Sequence, residues 1–185
     1  MRTFIAVDLD REIKKSLSSL IEKLILKREK IKWVQRQGMH ITLKFLGEIE
    51  KAQIPEVENI LRNISENFKS FSLKIKGTGY FPPEKKNPRV LWVGIEADKT
   101  LFVLQEQVET ELEKIGFPRE KRSFHPHLTL GRVKTFSFIH ETIKELKKYQ
   151  EAFFGEMIVN KITLFQSILK PSGAEYIVLS EYLLK

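Results

Sequence analysis

Apolar residues recur along this chain with two different periods, and the switches between them mark out its elements. "TFIAVDL" near the start is an apolar run bounded by charge, the pattern of a buried strand. Ile13, Leu17, Leu20 and Leu24 then return at helical spacing, and Asp10 stands where a helix cap is expected. "IKWV" and "MHITLKFL" read as strands. A second helix runs through Ile54, Val57, Ile60, Leu61, Ile64 and Phe68, with Pro55 tolerated in its first turn. "FSLKIKG" alternates apolar and polar residues as a half-buried strand does, and "VLWVGIE" follows as another. The turn-rich loop "GTGYFPPEKKNPR" separates the two. Leu101, Leu104, Val108, Leu112 and Ile115 trace a third helix that ends near Gly116. After the loop "FPREKRS" come the strand "HLTLGRV", a shorter helix around "HETIKELKKY", and strands within "GEMIVNKITLFQSIL" and "EYIVLSEYL" joined by the turn "KPSGA".

Helices interspersed with antiparallel-type strands place the chain in the α+β class rather than among doubly wound parallel sheets. One tetrapeptide pattern is written twice, as "HITL" from His40 and "HLTL" from His127. An amphipathic helix follows each copy within about ten residues, which points to two similar lobes. No linker-like stretch divides the 185 residues, a length sufficient for one domain or for two small lobes sharing a core.

Composition narrows the function. The chain is 42% hydrophobic and 30% charged with few Gly and Pro, so it folds. It shows neither a bilayer-spanning tract nor a leader pattern, and a cytoplasmic location is expected. Without any Cys there are no disulfides, thiolate metal sites or cysteine nucleophiles. A net charge of +8 suits an anionic partner.

Two of the four histidines lie in the repeated pattern. Strict alternation puts His40, Thr42 and Lys44 on one face of their strand and Ile41, Leu43 and Phe45 on the core face. His127 and Thr129 share a face in the same way, joined by His125 if the strand extends through Pro126. An imidazole titrates near neutrality, and a hydroxyl two residues along binds a phosphate oxygen. Two such units facing each other bracket one phosphorus atom. One ring deprotonates an attacking water while the other protonates the leaving oxygen, without a metal.

"HITLKFLGE" and "HPHLTLGRV", with "RTFIAVDL", "NPRVLWVG" and "LFQSILKPSGAEY" in order around them, resemble the two-histidine (2H) phosphoesterases. Within these the chain is similar to the RNA 2′,3′-cyclic phosphodiesterases, also called the 2′-5′ RNA ligase or LigT-like group, over essentially its whole length. The resemblance implies a single bilobal domain over 1–185: two pseudo-twofold-related lobes of antiparallel sheet with flanking helices, the motif strands side by side in a central cleft. It also implies hydrolysis of RNA 2′,3′-cyclic phosphate ends to 2′-phosphates, with reversible 2′-5′ joining of tRNA halves in some members. By motif position His40 is the proton donor to the leaving 3′ oxygen and His127 the acceptor that activates water. Thr42 and Thr129 hold the phosphate. The partner is then an RNA end, tRNA fragments among them, handled by a cytoplasmic monomer away from membranes and without cofactor or metal.

Lys44, Arg89 and Arg132 are further phosphate candidates, Arg132 only if Gly131 introduces a bulge that returns it to the His127 face. Phe81, Phe124 and Tyr80 are candidates to stack on a base. His125 either tunes His127 or touches substrate, and His140 is a surface residue. Two other functions compete: a non-catalytic module that binds RNA ends in the same cleft, and a metallohydrolase using "HPH" as ligands. Against the latter, the only aspartates are Asp8, Asp10 and Asp98, and none sits beside a histidine motif.

Overall fold

The computed structural model describes residues 1–25, 30–83, 87–135, 139–170 and 173–185. Its elements follow the hydrophobic periods closely. Strand β1 (Arg2–Asp8) leads into helix α1 (Arg11–Leu24), which buries the stripe Ile13, Leu17, Leu20, Ile21 and Leu24. Asp10 takes the cap position with extended backbone, but its carboxylate makes no capping hydrogen bond. After β2 (Ile31–Trp33) and β3 (His40–Glu48), helix α2 (Ile54–Ser65) carries Pro55 in its first turn, where a missing N–H costs nothing. Phe68 falls beyond that helix, in the turn that closes it.

Strands β4 (Phe71–Phe81) and β5 (Val90–Ala97) precede α3 (Lys99–Glu113). The Asp98 carboxylate caps this helix by accepting from the Thr100 N–H at 2.7 Å. Beyond it Gly116 adopts φ +93°, a left-handed conformation that an L side chain resists. The chain finishes with β6 (His127–Val133), α4 (Ile139–Lys147), β7 (Phe153–Val159), β8 (Lys161–Lys170) and β9 (Gly173–Leu183). Pro171 and Ser172 of the expected final turn lie outside the described residues. No helix among the described residues is long and apolar enough to cross a membrane.

The strands form two antiparallel sheets, β3-β1-β8-β9 and β2-β6-β5-β4-β7. One unit recurs in both. A strand runs into a helix, and the chain returns as a motif strand antiparallel to the first. In the first unit Asp8 pairs with His40 and Ala6 with Thr42; in the second Gly94 pairs with His127 and Trp92 with Thr129. The motif strands therefore sit in different sheets and meet across the cleft between them.

Both motif strands contain a bulge at the same place. Pairing steps from Ala6–Thr42 to Ile5–Lys44, passing over Leu43, and from Trp92–Thr129 to Leu91–Gly131, passing over Leu130. Leu43 and Leu130 are buried in the main apolar cluster, which draws on both sheets. At roughly 2 kcal/mol each, their burial anchors the motif strands with His and Thr turned away from the core. Each bulge lets two successive residues point inward, so the alternation resumes on the other face.

Candidate active site

The two motif strands line one cleft of about 1130 Å³. His40, Thr42, His127 and Thr129 all border it, so the residues singled out by the repeated tetrapeptide are brought together. The two imidazoles reach the cleft from unlike surroundings.

The His40 ring is packed among aromatics. Its centroid is 4.6 Å from Phe4, 5.7 Å from the roughly parallel Phe165 and 5.1 Å from the edge-on Tyr176. Its Nδ1 is buried and finds no hydrogen-bond partner among the described residues. A charged ring would need an acceptor for that second N–H, and none lies among the described residues. Burial accordingly lowers the His40 pKa from 6.5 to about 4, opposed by the Asp8 carboxylate and assisted by the Lys14 ammonium. Those two flanking groups are paired with each other at 2.6 Å.

His127 is held differently. Its Nδ1 lies 2.7 Å from the His125 carbonyl oxygen, which only accepts, so Nδ1 carries the proton and Nε2 is free for substrate. The contribution of His125 to this ring is thus made by its backbone, while its own side chain is exposed at the cleft. Phe81, at the end of β4 and 37% exposed, packs edge-on to His127 at 5.7 Å and against Trp92 at 5.4 Å.

The bulges redistribute the remaining candidates. Arg132 is exposed and lines the cleft, because the bulge over Leu130 returns it to the His127 side. The residue between, Gly131, is buried against β2, and a Cβ there would lie 2.7 Å from Ile31 and 2.9 Å from Trp33. Only glycine lets β2 approach that closely.

In β3 the same bulge overturns two expectations. Lys44 is turned inward and is only 3% exposed; its ammonium donates to Glu109 Oε2 at 2.5 Å and to the Pro118 carbonyl at 2.8 Å. It borders the cleft, but its ammonium is engaged in that pairing and is not presented there as a free cation. Phe45, assigned to the core by strict alternation, is 61% exposed on the cleft wall.

Arg89 is exposed and does not line the cleft; its N–H donates to the Phe81 carbonyl and its carbonyl accepts from the Val133 N–H, closing the β4–β5 connection. Glu84, Lys85 and Lys86 of the basic loop fall outside the described residues. Phe124 borders the cleft with its ring packed edge-on to Phe102 of α3, whereas Tyr80 packs on the core and not in the cleft. His140 is exposed at the start of α4, away from the site. Among the described residues no three His, Asp or Glu side chains gather as a metal ion would need.

Sequence reasoning missed Phe4, Phe165 and Tyr176 around His40, and Gln105 and Glu109 at the base of the cleft, which they help to line. Gln105 and Glu109 stand on α3, where polar residues one turn apart at helical spacing were the available signal.

Comparison with known proteins reproduces the twofold pattern. The LigT like Phosphoesterase family matches the chain twice, over residues 7–92 and 93–176. The chain belongs to the LigT-like phosphoesterase family. It is 40% identical over 181 residues to the RNA 2′,3′-cyclic phosphodiesterase of Thermotoga maritima, covering 98% of this chain and 94% of that one. The protein of the same name from Methanothermobacter thermautotrophicus is 34% identical, covering 95% of each. A crystal structure from Thermus thermophilus superposes with a TM-score of 0.85 at 30% identity, covering 100% of this chain and 98% of the other. Escherichia coli LigT complexed with 3′-AMP shares the fold at 24% identity, with a TM-score of 0.81 over 99% and 97% of the two chains.

The buried ring of this LigT-like phosphoesterase links its stability to pH. Between pH 6.5 and about 4 the unfolded chain binds a proton at His40 that the folded protein refuses, so stability present above pH 6.5 is lost as pH falls toward 4. At about 1.36 kcal/mol per pKa unit the loss approaches roughly 3 kcal/mol. Urea unfolding at pH 7 and pH 5 is expected to show a smaller difference in His40→Phe than in the parent protein. Equal differences would contradict the burial of this ring.

Proposed function

We propose that this phosphoesterase hydrolyses the 2′,3′-cyclic phosphate ends of RNA to 2′-phosphomonoesters by acid–base catalysis at His40 and His127. The observation that carries this reading is the presence of both His-x-Thr faces on one cleft. His127 Nε2 takes a proton from water as its oxygen attacks phosphorus. The bond from phosphorus to the 3′ oxygen breaks, and His40 gives that oxygen a proton, leaving a 3′-hydroxyl and a 2′-phosphate. The Thr42 and Thr129 hydroxyls donate to the nonbridging oxygens. Proton exchange with solvent then resets the pair.

His40 is neutral in the empty cleft at pH 7. The negative charge of an arriving cyclic phosphate is what stabilises its protonated form, and burial makes that form a stronger acid toward the leaving alkoxide. Replacing water by an RNA 5′-hydroxyl as the attacking group, with the same 3′ oxygen leaving, would give 2′-5′ joining at the same site. A cleft of about 1130 Å³ bordered by Lys121, Arg122 and Arg132 has room and charge for an anionic RNA end, tRNA fragments being among the substrates proposed.

The test is to supply short RNAs ending in 2′,3′-cyclic phosphate together with a chelator and to identify the monoester formed. A 2′-phosphate at an undiminished rate is expected. A 3′-phosphate would contradict the assigned leaving oxygen, and binding without product would favour a module that recognises RNA ends only.

A further inference from the structure

The two copies of the repeat carry the same chemistry at two positions and different chemistry at the third. Past the bulges, Phe45 stands in the first unit where Arg132 stands in the second, and both face the cleft. The His and Thr pairs are related by the repeat and cannot by themselves orient a substrate. A nucleotide end is asymmetric, with a flat apolar base on one side and an anionic chain on the other. We infer that Phe45 is the platform on which the terminal nucleobase stacks, an inference that rests on the proposed action at RNA ends.

Phe45 leaves 61% of its surface exposed on the cleft wall, so the face of its ring is available for a base to stack on. Phe4 lies beneath both it and the reacting histidine, 5.8 Å from the Phe45 centroid and 4.6 Å from His40. A base on Phe45 would therefore be next to the ring that handles its own ribose oxygen. Leu169, 68% exposed, and Tyr176 extend the same wall from β8 and β9. The same cleft is lined by the cations Lys121, Arg122 and, in the second unit, Arg132, suited to the ribose-phosphate chain. The other aromatics are more committed: Phe81 packs on Trp92 and His127, and Phe124 on Phe102.

The experiment compares kcat/KM for adenosine 2′,3′-cyclic phosphate and for methyl riboside 2′,3′-cyclic phosphate, which lacks the base. Phe45→Ala is expected to lower the first by roughly 5- to 100-fold, through KM, and to leave the second unchanged. Phe45→Trp should keep the parent ratio, and Phe124→Ala should too. A Phe45→Ala ratio equal to that of the parent, or a ratio that moves in Phe124→Ala instead, overturns the assignment. Failure of the parent protein to hydrolyse either compound would be a different result, sinking the proposed reaction itself.

Discussion

Alanine in place of His40 or His127 is expected to lower kcat for cyclic phosphate hydrolysis by roughly 10²- to 10⁴-fold, the usual worth of one positioned acid or base. The two losses should not add. Once one ring is missing the concerted transfer is broken, so the double variant should fall little below the worse single one. Thr42→Val and Thr129→Val remove a hydrogen bond to phosphate without touching either proton, and should cost roughly tenfold each. One ring must be charged and the other neutral in the productive complex, so rate against pH should be bell-shaped, with limbs that belong to the pair. Steady-state kinetics across pH checks all of this. Near-parent turnover by either histidine variant would contradict the two-ring mechanism.

Lys44→Met is expected to destabilise the protein by about 3–5 kcal/mol, the cost of leaving one member of a buried ion pair alone. Removing the ammonium leaves the Glu109 carboxylate, itself 3% exposed, with the Gln105 side-chain amide at 3.3 Å and the Glu120 N–H at 3.2 Å as its hydrogen-bond donors among the described residues. At about 2–4 °C per kcal/mol for a chain of this size, the melting temperature should fall by roughly 10 °C. The double variant Lys44→Met, Glu109→Leu should recover most of that, because an apolar pair avoids the desolvation cost that the charges incurred. The network also holds the cleft together. Gln105 donates to the Leu43 carbonyl at the first bulge, and Glu109 accepts from Glu120 in the segment leading to the second motif. Calorimetric melts of the single and double variants measure the effect. A Lys44→Met protein within about 1 °C of the parent would show that the pair is not what closes this wall.

The elements and the two histidines were legible in the sequence because they follow from local rules. Helical spacing found the stripe from Ile13 to Leu24, and the repeated tetrapeptide found His40 and His127. What alternation could not show is a bulge. Thr42 borders the cleft as alternation predicts, whereas Lys44, two residues on, turns into a buried ion pair, because one extra residue at Leu43 reverses every face beyond it. The sequence offered a hint in the second copy, where Gly131 makes such a step natural, and none in the first, where Lys44 stands at the matching position. The surroundings of His40 were out of reach for another reason. Phe4, Phe165 and Tyr176 come from three strands of one sheet, a long-range arrangement that no local pattern encodes.

The most direct measurement is a crystal structure with vanadate soaked into the cleft as a mimic of phosphorus under attack. Both imidazoles should touch oxygens of one vanadium centre, each through Nε2, with the Thr42 and Thr129 hydroxyls on its remaining oxygens. Vanadate held by one histidine alone, or seated instead among Arg11, Lys14 and Arg36 in the smaller pocket beside Asp8, would contradict the shared centre on which the mechanism depends.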